Sequence, residues 1–184
     1  VDVVPGNLPA QTTSFVGRDD ALQVVTDALD VHRVVTLTGV GGVGKTRLAL
    51  QSAALMADRF RGGVWLVELA AVSDGAGVDV ALASLFTVQP QPGRSTRDVV
   101  VDALGVRVVL LVIDNCEHVL DDVASLVEAL VASCAGVRVL VTSRESLSVA
   151  GEWAWRVPSL PAGSAGSVLF VERAASTAAG FEPD

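Results

Sequence analysis

Short runs of β-branched and other apolar residues alternate along this chain with longer segments whose apolar positions recur at helical spacing. Runs that are largely apolar are typical of buried strands, and here they occupy residues 34–38, 63–69, 108–114 and 137–142. A fifth strand is predicted at 153–157, where apolar and polar side chains alternate. The helical spacing covers residues 19–30, 45–60, 78–86, 99–104 and 117–133. This alternation predicts an α/β fold with a parallel sheet covered by helices on both faces.

A glycine-rich turn joins the first predicted strand to the second predicted helix. It matches the phosphate-binding pattern G-x-x-x-x-G-K-[ST] at every fixed position, and its residues are Gly39, Val40, Gly41, Gly42, Val43, Gly44, Lys45 and Thr46. Glycines let the backbone approach a phosphate closely, and the free N–H groups at a helix N-terminus suit an anion. We expect Lys45, the only lysine of the chain, to reach the β- and γ-phosphates and Thr46 to place its hydroxyl on Mg²⁺.

The same glycines also permit a second interpretation. Gly39, Gly41 and Gly44 spell G-x-G-x-x-G, and Glu68 ends the next strand about where a dinucleotide-binding fold places its ribose-binding acid. A dinucleotide-binding oxidoreductase domain is therefore a minor alternative. It leaves Lys45 unexplained, and it also leaves unexplained a later buried strand that ends in a carboxylate, so the sequence favours the phosphate loop.

Charged side chains follow two of the later predicted strands. Asp114 ends one of them, in the position of the acid that holds Mg²⁺ in P-loop nucleotide hydrolases. Arg144 follows the next strand. If that strand lies between the strand before the glycine-rich turn and the strand that ends at Asp114, the guanidinium of Arg144 would face the γ-phosphate from the side opposite Lys45. These three residues are the candidate catalytic groups. The general base stays open because Asn115 is an amide and Glu117 would have to turn inward, so we expect slow hydrolysis.

Composition excludes several classes of function. The 184 residues are 51% apolar, which suits one compact domain. The balance of 13 basic and 21 acidic residues gives a net charge of −8 without any basic cluster, so direct nucleic-acid binding by this segment is not expected. Two cysteines, Cys116 and Cys134, indicate buried small residues rather than a disulfide framework or a metal cluster. No apolar run approaches the length of a membrane span and no signal peptide is legible, so we expect a cytoplasmic protein that does not contact membranes.

The two ends of the chain differ in composition from its centre. Residues 1–14 contain prolines and a polar stretch, and they are predicted to be a linker from an upstream domain. Residues 15–162 form the predicted P-loop nucleotide-binding domain. Residues 163–184 have helical spacing without evident closure, and they are predicted to be the first helix of a truncated helical domain.

Several short segments together are similar to one known family, and the similarity extends over nearly the whole chain. The segments are residues 7–9, 15–18, 37–49, 111–118, 142–145 and 155–158. They resemble the NB-ARC nucleotide-binding domain of bacterial STAND-class ATPases, the group that includes SARP-type and LuxR-type transcription regulators. The resemblance implies a three-layer P-loop NTPase with the ASCE-like strand order 2-3-4-1-5, followed by a helical (ARC-like) domain.

The resemblance also implies an activity and assigns the site. ADP would hold a closed resting protein, and exchange for ATP would open it and promote self-association while covalently linked effector and sensor domains act. The residues implied to bind ATP, ADP and Mg²⁺ are Val16, Gly17 and Arg18 at the adenine, the loop 39–46 and Arg47 at the phosphates, Thr46 and Asp114 at the metal, and Arg144 at the γ-phosphate.

Two further functions remain open at this point. One is a robust oligomeric P-loop ATPase that performs mechanical or remodelling work, which fast turnover dependent on Asp114 would favour. The other is a structural interaction domain with a degenerate site. The intact Lys45, Thr46 and Asp114 disfavour this last alternative.

Overall fold

The structure of the chain, a computed structural model, describes residues 5–10 and 17–159. Within these ranges, five strands form one parallel sheet in the order β2-β3-β4-β1-β5. The strands are β1 (Val34–Thr38), β2 (Val64–Glu68), β3 (Val109–Asp114), β4 (Val137–Thr142) and β5 (Glu152–Arg156). The helices of the same ranges are α1 (Asp19–Val31), α2 (Lys45–Leu55), α3 (Gly75–Leu85), α4 (Thr96–Leu104) and α5 (Leu120–Ser133), with a 3₁₀ turn at Ala57–Arg59. The predicted α/β class, parallel sheet and strand order 2-3-4-1-5 are confirmed.

Helices cover both faces of the sheet. One core lies under α1 and α2, and the other lies under α3, α4 and α5. The side chains of β3 alternate between the two cores: Leu111 and Ile113 belong to one, and Leu110 and Val112 to the other. All four are at most 1% exposed. A strand buried on both faces needs an apolar residue at nearly every position, which explains why the run before Asp114 is apolar throughout.

Several helices begin or end at other residues than the periodicity predicts, and α3 and α2 are two of them. α3 begins at Gly75 rather than at 78, because the Asp74 carboxylate caps it by accepting a hydrogen bond from Gly77 N at 2.8 Å. α2 ends at Leu55 rather than at 60, and the chain continues from there as the 3₁₀ turn. Neither difference moves the phosphate loop, which precedes α2 directly.

Residues 5–10 lie beside the edge strand β2. Val64 N donates a hydrogen bond to Pro5 O at 3.0 Å. The Asn7 side chain makes two hydrogen bonds with Leu66, because its Oδ1 accepts from Leu66 N at 2.6 Å and its Nδ2 donates to Leu66 O at 2.9 Å. This pairing covers backbone groups that an edge strand otherwise leaves open.

The domain assignments at the two ends of the chain remain predictions. The predicted boundaries between residues 14 and 15 and between residues 162 and 163 fall outside the described residues, as does the predicted helix 163–184. Among the helices that the structure describes, none has the length and apolar character needed to cross a bilayer.

Candidate functional site

The glycine-rich loop connects β1 to α2 and is open to solvent. Gly42 has a φ of 78° and Gly44 a φ of 92°, in the left-handed region that side-chain-bearing residues rarely adopt. A Cβ atom built at Gly41 or Gly42 would meet no atom of the described structure within 4 Å. The loop therefore has the conformation and the space that a phosphate group needs in order to approach the backbone closely.

The first turn of α2 carries positive charge and no acidic residue. Lys45 and Arg47 both lie in this turn, whereas helix N-termini ordinarily favour Asp and Glu because of the helix dipole. No described side chain caps the turn, since its N-cap is Gly44. Lys45 Nζ donates hydrogen bonds to Gly39 O at 2.8 Å and to Val40 O at 3.1 Å. A multivalent anion at this end of α2 would satisfy both the unpaired backbone N–H groups and the ammonium group.

Asp114 joins three elements at the carboxyl edge of the sheet. Its Oδ1 atom accepts hydrogen bonds from Thr46 Oγ1 at 2.7 Å and from Thr142 Oγ1 at 2.5 Å, which come from α2 and β4. Thr142 Oγ1 in turn accepts a hydrogen bond from Asn115 N at 3.1 Å, so its own proton is directed at the carboxylate. The structure thus brings Thr46 and Asp114 into direct contact. Thr142 was not among the predicted site residues, although its place at the end of the strand beside β3 is a signal that could have identified it.

The residues of this cluster fit a bound Mg²⁺ ion. Mg²⁺ prefers oxygen ligands, and it commonly combines one or two protein ligands with water and substrate phosphates. The Thr46 hydroxyl and the Asp114 carboxylate place two such oxygens 2.7 Å apart beside the phosphate loop. Within residues 5–10 and 17–159 there is no group of three or more His, Cys, Asp and Glu side chains that could hold a metal by itself. The donor set therefore suits a magnesium ion that binds together with a nucleotide.

The turn between β3 and α5 brings Glu117 to Arg144. α5 begins at Leu120 rather than at 117, because Asn115 adopts a φ of 61° and the chain turns before the helix starts. Glu117 Oε1 lies 3.1 Å from Arg144 Nε, and the exposed fractions of the two side chains are 20% and 67%. Glu117 thus turns inward, as its role as a base would require. Its carboxylate is paired, however, with the candidate γ-phosphate sensor.

Arg18 links the start of α1 to the phosphate loop. Its Nη2 atom donates hydrogen bonds to Val43 O at 2.6 Å and to Pro158 O at 3.3 Å, and the residue is only 8% exposed. Burial lowers the pKa of its guanidinium from the ordinary value, although an arginine keeps its charge at physiological pH. Its Nη1 atom is buried and finds no hydrogen-bond partner among the described residues. Arg18 therefore fastens the loop to the segment that follows β5.

A pocket of about 220 Å³ lies beside Arg18. It is formed by the start of α1 and the segment around the end of β5, and its lining residues are Gly17, Arg18, Asp20, Ala21, Val24, Trp155, Pro158 and Ser159. A neighbouring cavity of about 270 Å³ over the phosphate loop shares Arg18 and Ser159 with it. A partly apolar pocket that adjoins a phosphate loop is a suitable place for a nucleotide base. Gly17 and Arg18 line it, Val16 lies outside the described residues, and Trp155 was not among the predicted contacts.

Both cysteines are buried and free, as the sequence predicts. Burial raises the pKa of the Cys116 thiol to about 12, and burial also raises the pKa of Cys134. A raised pKa leaves little thiolate at pH 8, so we expect neither thiol of the folded chain to react with a colorimetric disulfide reagent, whereas both react in guanidinium chloride. The absorbance of the released thiolate measures this difference. Rapid labelling of the folded chain would contradict the burial of the two side chains.

The sequence relatives of the chain are mycobacterial proteins of greater length. The chain is 43% identical over 162 residues to an uncharacterized protein of Mycobacterium tuberculosis strain H37Rv, which covers 88% of this chain and 41% of that protein. It is 44% identical over 150 residues to a candidate HTH-type transcriptional regulator of the same strain, over 82% of this chain and 17% of the regulator. The chain thus spans less than half the length of either relative. No protein-family model matches the sequence.

Two solved structures resemble the fold. The Aeropyrum pernix ORC1 protein, solved in complex with DNA, is similar with a TM-score of 0.66 and 19% identity, over 99% of this chain and 53% of that chain. A STAND protein of Pyrococcus horikoshii with a tetratricopeptide repeat sensor is similar with a TM-score of 0.57 and 16% identity, over 84% of this chain and 25% of that chain. Identities this low establish likeness of fold alone. Together with the phosphate loop, the strand order and the position of Asp114, they show that this chain has the fold of the P-loop ATPases.

Proposed function

We propose that this chain is an ADP/ATP-binding switch module of the NB-ARC type, with slow ATP hydrolysis, within a larger signal-transduction or transcription regulator. The observation that carries the proposal is the meeting of Thr46, Asp114 and Thr142 beside a helix whose first turn is cationic. Donors for phosphate oxygens thereby lie next to oxygen ligands for Mg²⁺. A nucleotide bound together with Mg²⁺ needs both kinds of group.

The phosphate loop is the proposed binding site of the α-, β- and γ-phosphates. Backbone N–H groups of residues 39–46 and the side chain of Arg47 would hold the phosphate oxygens. Lys45 Nζ would exchange its present acceptors, the carbonyl oxygens of Gly39 and Val40, for oxygens of the β- and γ-phosphates. A charge-assisted hydrogen bond to phosphate is stronger than a bond to a neutral carbonyl, so the exchange favours the bound state.

The magnesium ion and the adenine of the nucleotide have separate proposed contacts. Thr46 and Asp114 would hold Mg²⁺, which neutralises phosphate charge when it is bound. The pocket beside α1 would take the adenine, with Gly17 and Arg18 on its wall and Val16 just before them in the chain. Arg18 also contacts the loop directly, so occupation of the base pocket and the shape of the phosphate loop are physically connected.

Slow hydrolysis is supported by how the carboxylates around β3 are engaged. One Asp114 oxygen already accepts two hydroxyl hydrogen bonds, and Asn115 cannot accept a proton from water. Glu117 is the remaining candidate base in this segment, and it is paired with Arg144. The neighbouring guanidinium stabilises the ionised Glu117 carboxylate and makes it a weaker base toward water, so we expect turnover far slower than nucleotide binding.

The relatives support a place in a larger regulator. The chain covers 41% and 17% of two longer mycobacterial proteins, the second a candidate HTH-type transcriptional regulator. Effector and sensor domains, nucleotide-dependent self-association and a cytoplasmic location are therefore proposed for the whole protein. The complex with DNA is a property of the ORC1 protein, and the net charge of −8 here supports our prediction that this segment does not bind nucleic acid directly.

Isothermal titration of the 184-residue chain tests the proposal. We expect ADP and ATP to bind with dissociation constants of about 10 μM or lower, Mg²⁺ to strengthen ATP binding, and GTP and NAD to bind at least about tenfold more weakly. Phosphate release should be well below about 1 s⁻¹. Binding of NAD without ATP or ADP would indicate a dinucleotide-binding function instead, and fast turnover would favour a mechanical ATPase.

A further inference from the structure

A cavity at the carboxyl end of β1 is lined by two arginines. Its volume is about 280 Å³, and it borders Thr38, Gly39, Val40, Arg144 and Arg156. Arg144 follows β4 and Arg156 ends β5, and these two strands lie on either side of β1. The two arginines therefore flank the residues from which the phosphate loop begins.

Arg156 has no evident structural task. It is exposed and lies in register with Thr38 of the neighbouring strand. It makes no hydrogen bond or ion pair within the part of the chain that the structure describes. Arg144, by contrast, pairs with Glu117. The cavity wall therefore carries two guanidinium groups and only one of them has a carboxylate partner.

A third positive charge lies next to the same cavity. Lys45 Nζ donates to the carbonyl oxygens of Gly39 and Val40, and both of these residues line the cavity. Three cations thus gather around the start of the loop in a chain whose net charge is −8. Like charges so arranged repel one another, and an anion with more than one negative charge relieves that repulsion while accepting several hydrogen bonds.

We infer that Arg156 and Arg144 together form a subsite for a phosphate dianion, either the terminal phosphate of ATP or the inorganic phosphate left after its cleavage. The inference rests on the proposed function and deepens it, because it makes Arg156 a residue that distinguishes ATP from ADP. Of the two nucleotides only ATP carries a phosphate that can reach the subsite. Its affinity should therefore depend on Arg156, and that of ADP should not.

The test compares Arg156→Gln with Arg107→Gln in titrations with ADP and with AMP-PNP, an ATP analogue that resists hydrolysis. Arg107 is an exposed arginine just before β3, where the strands begin, whereas the cavity lies where they end. Its variant therefore removes the same charge at a distance from the cavity. We expect Arg156→Gln to weaken AMP-PNP about tenfold and ADP less than about twofold. Arg107→Gln should change neither affinity, and Arg156→Lys should recover part of the loss.

A third titration, with ADP in the presence of inorganic phosphate, separates the two sources of phosphate. If phosphate tightens ADP binding in the unaltered chain and not in Arg156→Gln, the subsite also holds free phosphate; if it has no effect on either, the subsite serves ATP alone. Equal weakening of ADP and AMP-PNP by Arg156→Gln, or no change in either, overturns the inference while leaving the proposed function intact. An unaltered chain that binds neither nucleotide overturns both. Circular dichroism during heating establishes that the variants remain folded.

Discussion

Replacing Lys45 with alanine is expected to lower the affinity for ADP and for ATP at least about a hundredfold. Lys45 is the only lysine of the chain, and its ammonium group donates hydrogen bonds to two loop carbonyls. A bound phosphate would replace these carbonyls as the acceptors. Without it, the phosphates lose a charge-assisted contact where α2 begins. Isothermal titration with both nucleotides in the presence of Mg²⁺ measures the change.

The control for this variant is Arg107→Ala, which removes a positive charge at the amino ends of the strands, away from the loop, and should leave both affinities unchanged. Lys45→Ala should not destabilise the free chain much, because Lys45 Nζ donates only to the loop carbonyls of Gly39 and Val40 and its removal lessens the positive charge in the first turn of α2. If Lys45→Ala kept the affinity of the unaltered chain, phosphate binding by the loop would be refuted. A variant that lost ATP but still bound NAD would favour the dinucleotide alternative.

Replacing Leu111 with alanine is expected to lower the free energy of unfolding of the nucleotide-free chain by about 3 kcal/mol. Leu111 lies in β3, between β2 and β4, and has no exposed surface. Its side chain belongs to the core under α3, α4 and α5. Deleting it removes apolar contacts and leaves a cavity that the close-packed sheet cannot easily close. Thermal unfolding followed by circular dichroism should show a fall in Tm of roughly 6–12 °C.

Leu55→Ala is the matched control for Leu111→Ala. Leu55 ends α2 and is 62% exposed, so the same chemical change should alter the free energy of unfolding by less than about 0.5 kcal/mol. The measurement must be made without nucleotide, because a ligand that binds the folded state raises Tm by mass action. Equal effects of the two substitutions would contradict the placement of β3 between two other strands and under helices on both faces.

Local pattern was sufficient to predict the strands, the loop and the class of fold. The buried strands appear as largely apolar runs because β1, β3 and β4 face a core on each side. The fixed spacing of Gly39, Gly44, Lys45 and Thr46 encodes a turn and a helix start within a few residues. Helix limits were predicted less well, since they depend on single contacts such as the Asp74 cap of α3.

The site was predicted only in part, because most of its contacts join residues that are distant in sequence. The ion pair between Glu117 and Arg144 depends on a turn that delays the start of α5. The contact of Arg18 with Pro158 O spans 140 positions of the chain. Periodicity carries no information about such pairs, since it reports only which face of an element is apolar.

By itself the sequence determined that this chain has alternating strands and helices, a glycine-rich loop that matches the phosphate-binding pattern before a helix, and a carboxylate at the end of a later strand. Alternation predicts a parallel sheet but does not fix the order of its strands. The tertiary structure confirmed the order that the family resemblance implied, with β4 between β1 and β3, and it alone showed that this order places Thr142 on Asp114 and Arg144 beside the loop. It also decided that Arg156 reaches the same cavity from β5. The physical reason is that side chains at the carboxyl ends of two strands meet only when those strands are neighbours in the sheet. The packing of the whole chain selects which strands are neighbours.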